Sequence, residues 1–250
     1  MPVREIVVCA DRRTVALAGA QFVLGEIERK ETGRFLLALS GGSTPSAMYD
    51  VIASTPGAGE LIADRAEIFF SDERSVGPED PDSNYRAART HLFEPLNVPE
   101  RIIHRIHGEA NDLKAEAKRY GSLIRDTAGL SNNQTPELDL TLLGMGIDGH
   151  TASLFPDYDF GGERDIVVAP FVRDQKTFRV SFSLGLINAS RAALFLVTGE
   201  EKAPAVKKAL IESITDNSVP ASRVQASRTV WMLDREAAGM INWTGRVLGL

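Results

Sequence analysis

Cysteine is almost missing from this chain. Cys9 stands alone among 250 residues, so there is no internal disulfide framework, and a reducing compartment fits. Long apolar runs are missing as well: no stretch approaches the roughly 20 residues that a membrane-spanning helix needs. The apolar part of the first ten residues is too brief for the core of a secretion signal. Triplets resembling a glycosylation acceptor begin at Asn133, Asn188 and Asn242, and without such a signal they are chance matches. An excess of positive charge is the third absence. With 28 Lys and Arg against 34 Asp and Glu, the net charge is −6, which argues against nucleic acid as the main partner. The expectation is a cytoplasmic protein with no membrane and no nucleic-acid partner.

Several catalytic signatures are absent too. There is no H-E-x-x-H and no paired-cysteine motif, and His91, His104 and His107 show no metal-ligand spacing, so no metal site is expected. No G-x-S-x-G occurs, which removes the nucleophile-elbow hydrolases. Cys9 falls inside a strand pattern, a poor place for a nucleophile.

What is present is an ordinary globular composition, 43% hydrophobic and 25% charged, long enough for a substantial core. A single domain over residues 1–250 is expected. Apolar strand patterns fall at Ile6 to Ala10, Phe35 to Leu39, Ala66 to Phe70, Leu138 to Leu143, Arg179 to Phe182, Ala192 to Thr198 and Val230 to Leu233. Between them lie helix patterns. One carries Ala16, Ala20, Val23, Leu24 and Ile27, capped by Asp11 and stopped by Gly33. Another carries Leu113, Ala117, Tyr120, Ile124 and Thr127, started by Asn111 or Asp112. A third covers Glu200 to Ile211, with Pro204 in its first turn. This alternation predicts an α/β fold with a mostly parallel sheet and helices on both faces. Ligands of such sheets bind at the loops leaving the C-terminal strand ends.

Four of those loops carry chemistry. Ser40-Gly41-Gly42-Ser43-Thr44-Pro45 follows a buried strand, and Pro45 and Ser46 begin a helix whose N-terminus favours an anion. No lysine follows the glycines, so the P-loop pattern is absent. In Ser71-Asp72-Glu73-Arg74, Arg74 can clamp a phosphate or carboxylate. Nearby Ser83-Asn84-Tyr85-Arg86 opens a further helix that can turn Arg86 or Arg89 toward the same crevice. Gly144-Met145-Gly146-Ile147-Asp148-Gly149-His150-Thr151 formally matches a dinucleotide fingerprint. That reading fails because Pro156 and Gly161-Gly162 leave no room for the helix it requires. The loop reads instead as a glycine-rich turn presenting Asp148 and His150, with His150 the candidate base. In Thr198-Gly199-Glu200-Glu201-Lys202, a lysine in a first helical turn opposes the macrodipole, and a nearby phosphate would relieve that cost.

Taken in order, these loops resemble the 6-phosphogluconolactonase family over nearly the whole chain, including Thr151-Ala152-Ser153-Leu154-Phe155-Pro156 and Val230-Trp231-Met232-Leu233-Asp234. The resemblance implies a Rossmann-like core similar to that of the glucosamine-6-phosphate deaminases. It implies hydrolysis of a phosphosugar lactone in the oxidative pentose phosphate route, with no cofactor. It also implies that His150 is the general base, and that the first loop, Arg74 and Lys202 contact substrate and phosphate. On the residues themselves, Asp148 orients the imidazole or instead shapes the turn, Arg74 or backbone amides of the glycine loops stabilise the oxyanion, and Gly146 belongs to the candidate binding set. Gly41, Gly42, Ser43, Thr44, Asp72 and Lys202 complete the candidate binding set. A monomer or weak homo-oligomer is expected. Two rivals stand beside this reading. One is an aldose–ketose isomerase or deaminase using Asp72 as base, disfavoured by Ser153-Leu154-Phe155-Pro156. The other is a non-catalytic sugar-phosphate sensor, disfavoured by the acidic balance.

Overall fold

The structure, a computed structural model, describes residues 3–131, 134–156, 158–159, 165–172, 177–212 and 218–243. Asn133 and the Gly161-Gly162 pair lie outside these. The chain opens with β1 (Val3–Cys9), α1 (Arg12–Arg29), β2 (Phe35–Leu39), α2 (Ser43–Ala53) and α3 (Ala58–Arg65). Next come β3 (Ala66–Phe70), β4 (Asp72–Arg74), α4 (Asn84–Ala88), a π-helical stretch at Arg89–Phe93, α5 (Glu94–Leu96) and α6 (Leu113–Thr127). Then follow β5 (Leu140–Leu143), β6 (Val167–Val168), β7 (Phe171–Val172), β8 (Thr177–Phe182) and α7 (Leu184–Ala189). The described part ends with β9 (Ala192–Val197), α8 (Ala203–Leu210) and β10 (Arg228–Asp234).

Six strands form one sheet in the order β1-β10-β9-β5-β2-β3, and every pairing in it is parallel. All residues of β2, β5 and β9 are buried. Helices cover both faces, so these strands read as unbroken apolar runs rather than alternating ones. Trp231 of β10 stacks on Phe195 of β9 at 3.8 Å between ring centroids, both fully enclosed. The helices start where short polar side chains take their free amides. Asp11 accepts the Thr14 N–H at 2.8 Å, and Asp112 accepts those of Lys114 and Ala115 at 3.0 Å each.

The chain leaves β2 toward β3 on one side and leaves β5 toward β9 on the other. The strand order therefore reverses between β2 and β5, the position where a crevice opens in sheets of this kind. A second, smaller sheet runs β4-β8-β6, antiparallel, with β7 paired to β8.

Several expectations need correcting. The Arg179 to Phe182 pattern belongs to β8 of the small antiparallel sheet, not to the parallel one. The pattern at Leu138 enters the sheet only at Leu140, and the helix at Pro45 already begins at Ser43. Glu200 to Ile211 divides into a 3-10 turn (Glu200–Lys202) and α8, because Pro204 lacks the N–H that a continuous helix would use. The Val230 pattern, last along the chain, lies inside the sheet between β1 and β9.

Candidate active site

The loop after β2 is held from both sides. Tyr49 of α2 donates to the Ser40 carbonyl at 2.7 Å and accepts the Ser40 N–H at 3.2 Å, while Leu39 O takes the Ser71 N–H at 2.8 Å. Burial pushes the Tyr49 phenol far up, so it stays a neutral clamp. Gly42 has φ +105°, a conformation closed to other residues, and a Cβ on Gly41 would collide with the Asn84 amide. Helix α2 starts with no side-chain cap. Its first amides, those of Ser43 and Thr44, thus lack an intrahelical partner.

β4 alternates. Asp72 and Arg74 share one face of the small sheet and Glu73 the other. Asp72 is buried, accepting from Ser153 Oγ at 2.7 Å and Asn84 Nδ2 at 3.2 Å. Arg74 donates to the Asp82 carbonyl at 2.6 Å, which fixes its guanidinium. Glu73, only 2% exposed, accepts the N–H groups of Arg74, Asn84 and Tyr85 at 2.8 Å and the Ser83 hydroxyl at 3.0 Å. Burial pushes its carboxyl up against the pull of those bonds. This single side chain ties β4 to the start of α4 and so sets Asn84 beside Asp72. Replacing Glu73 with Ala strands buried donors and is expected to cost at least about 1–3 kcal/mol, read as a lower denaturant midpoint. A midpoint equal to that of the unmodified chain would show that the carboxylate is not needed there.

The loop after β5 carries the titratable pair. Asp148 Oδ1 accepts the His150 backbone N–H at 3.1 Å and lies 2.7 Å from His150 Nδ1. Burial pushes the Asp148 carboxyl up, but the hydrogen bond and charge of His150 outweigh it and the net direction is down. An ionised carboxylate only accepts hydrogen bonds, so Nδ1 carries a proton and the lone pair of the base form falls on Nε2. The imidazole stacks on Phe155 at 4.3 Å. A Cβ on Gly146 would run into His150 Nδ1 and Asp148 Oδ1. Ala152 takes the strained φ of +46° as the loop folds back through the Thr151–Leu154 bridge. That turn delivers Ser153 to Asp72.

The loop after β9 is anchored by Asp234, whose carboxylate accepts the Gly199 N–H at 3.1 Å. Thr198 Oγ1 lies 2.9 Å from Thr44 Oγ1, joining the fourth loop to the first.

Gly41, Gly42, Ser43, Thr44, Asp72, Arg74, Gly146, His150 and Lys202 all line one pocket of about 350 Å³. Asp148 sits behind His150 rather than in the lining. Arg86 and Arg89 do not line it; Arg89 pairs with Glu79 and Glu94 instead. Cys9 is fully buried, and burial followed by the charges of Asp11 and Asp234 pushes its thiol up to about 11, far from a nucleophile. His91, His104 and His107 face Asp50, Glu67 and Glu116, away from the pocket. Among the described residues no group of three His, Cys, Asp or Glu side chains is set to hold a metal, and no helix is long and apolar enough to cross a membrane.

Sequence reading missed four contributors. Arg12 lines the pocket from the start of α1 and donates to Ser43 Oγ. Asn84 and Ser153 hold Asp72. Arg179 of β8 stands in register opposite Arg74. Like charges so placed repel; burial and then Arg74 push the Arg179 guanidinium down, partly offset by Asp72, Glu73 and Asp82. Asn84 and Ser153 lie in stretches that the sequence marks, but nothing local shows that both turn to Asp72, and the placement of Arg12 and Arg179 depends on elements distant in the chain.

A family profile described as glucosamine-6-phosphate isomerases/6-phosphogluconolactonase matches residues 10–231. A 6-phosphogluconolactonase of Nostoc sp. is 32% identical over 242 residues, covering 96% of this chain and 99% of that protein. The 6-phosphogluconolactonase of Homo sapiens is 36% identical over 237 residues, covering 93% and 86%. The crystal structure of devB protein superposes with a TM-score of 0.88 at 32% identity, covering 96% of this chain and 100% of that one.

Proposed function

The chain belongs to the glucosamine-6-phosphate isomerase/6-phosphogluconolactonase family, and we propose that it hydrolyses 6-phospho-D-glucono-1,5-lactone to 6-phospho-D-gluconate in the oxidative pentose phosphate pathway, with His150 as general base. The observation that carries the assignment of roles is the Asp148–His150 pair. It fixes the ring tautomer, so that the base form carries its lone pair on Nε2, in a pocket whose other loops offer cations and free helix amides.

In this scheme His150 Nε2 takes a proton from water as the water oxygen bonds to the lactone carbonyl carbon. The resulting oxyanion is stabilised by Arg74 and the amides of the glycine-rich loop; one such donor is typically worth about 2.7–4 kcal/mol. Collapse breaks the bond to the ring oxygen, which receives the proton from His150 and becomes a hydroxyl. The new carboxylic acid then ionises. Asp72, with its carboxylate oriented by Ser153 and Asn84, accepts from sugar hydroxyls. Ser43, Thr44 and Lys202 hold the phosphate away from the reacting carbon, supplying orientation. No step draws on a cofactor.

Asp148→Asn tests the pairing. The amide oxygen still accepts Nδ1–H, but as a neutral acceptor, and the difference of roughly 1.4 kcal/mol predicts a fall of about tenfold in kcat. Removing the negative charge also makes imidazolium harder to form, so the acidic limb of the kcat/KM profile moves to lower pH. An unmoved limb with unchanged kcat removes Asp148 from this role. The reaction itself is tested by offering two substrates. Acid release from freshly generated lactone above the spontaneous rate is expected, and ammonia release from glucosamine-6-phosphate is not; the reverse result assigns the chain to the isomerase branch. A cytoplasmic location, supported by the lone cysteine, and the lack of a nucleic-acid partner, supported by the net charge of −6, belong to the same reading, as does a monomeric or weakly oligomeric state.

A further inference from the structure

We propose that Arg12 is a specificity-determining contact for the substrate phosphate, an inference that rests on the lactonase reading above. Arg12 is the first residue of α1, Arg13 follows it, and the first turn of that helix holds no acidic residue. Cations there oppose the helix dipole, and a local choice that works against stability marks a place to look for function. The helix is already capped by Asp11, so Arg12 is not needed to start it.

Its guanidinium reaches across to α2, where Nη2 donates to Ser43 Oγ. Arg12 thereby lines the pocket beside Ser43, with Thr44 and Thr198 joined to each other next to it, and Lys202 lines the same pocket. Three helical starts reach this pocket: α1 through Arg12, α2 through its uncapped amides, and α8 through Lys202 at its N-cap position. Among the described residues neither Arg12 nor Lys202 forms an ion pair. Glu201 also lines the pocket, but its carboxyl folds over Gly199. Arg74 is occupied differently, fixed to the Asp82 carbonyl on the strand that carries Asp72. Two unpaired cations and a free helix start call for an anion of more than one charge with several acceptor oxygens, as a phosphate monoester has. A guanidinium with one N–H on Ser43 keeps others to grip such a group in its planar geometry, which an ammonium does not copy.

The test compares 6-phosphoglucono-δ-lactone with unphosphorylated glucono-δ-lactone for the unmodified chain, Arg12→Ala and Arg12→Lys. The preference is read as the ratio of the two kcat/KM values. It is expected to fall about tenfold in Arg12→Ala, mainly through KM for the phosphorylated lactone, and to recover in part in Arg12→Lys. Equal losses on both lactones, or an unchanged ratio, overturn the assignment. Calorimetric titration with inorganic phosphate separates this inference from the reaction it rests on. Unmodified protein that binds phosphate about tenfold more tightly than Arg12→Ala, yet hydrolyses no lactone, overturns the reaction and keeps Arg12 as a phosphate contact. Equal phosphate affinity in the two proteins overturns Arg12 whatever the activity.

Discussion

His150→Ala is expected to lower kcat by about 10²–10⁴-fold while leaving KM within a few-fold of its original value. The asymmetry follows from position. His150 acts on water at the reacting carbonyl, whereas the contacts that hold the substrate come from other loops: Ser43 and Thr44 at the start of α2, Asp72 and Arg74 on β4, and Lys202 before α8. A group used only in the transition state lowers kcat and kcat/KM together. The substitution is not expected to unfold the chain. The imidazole is part-exposed, and the stack on Phe155 that it loses is worth only about 0.5–1.5 kcal/mol. Steady-state kinetics with a circular-dichroism melt on the same sample decide the matter. A folded variant that keeps kcat within about threefold, far short of the usual contribution of a general base, removes His150 from the reaction.

Gly146→Ala should do comparable damage without touching a reacting group. Gly146 has no positive φ, so its backbone accepts alanine; the obstacle is the space the Cβ would enter, already held by the His150 ring and the Asp148 carboxylate. One of the two must move. Because the pair is fixed by a 2.7 Å contact, a shift of about 1 Å takes Nε2 off the attacking water and costs roughly 10²-fold in kcat. The expected signature is a large kcat loss with little change in the melting midpoint. If kcat holds, the imidazole has room to relax and the tight packing of this loop plays no part in catalysis.

The sequence is most legible where information is local. Phe35 to Leu39 is an unbroken apolar run and Ala66 to Phe70 is apolar except at Glu67, and the bounds of both match β2 and β3 residue for residue, because the buried positions mark the strand ends. Asp11 and Asp112 act within three residues, as caps do. The Asp148–His150 pair spans two residues of one turn, so it too is visible in a short window. Long-range placement is not. Nothing in Val230 to Leu233 says that the last strand inserts between β1 and β9. The three charged residues of Asp72-Glu73-Arg74 read most simply as a solvated loop; they form a strand because Glu73 finds two backbone donors on α4 beside the Arg74 N–H, and its neighbours find the pocket. Arg12 is the clearest loss, since a side chain in the first turn of a helix looks solvent-facing until α2 is known to lie beside it.

The most direct test is the hydrolysis of freshly generated 6-phosphoglucono-δ-lactone, coupled to 6-phosphogluconate dehydrogenase and set against the spontaneous rate. The account predicts a large enzyme-dependent acceleration that disappears in folded His150→Ala. Folded, unmodified protein that leaves the lactone to open at its spontaneous rate would contradict it.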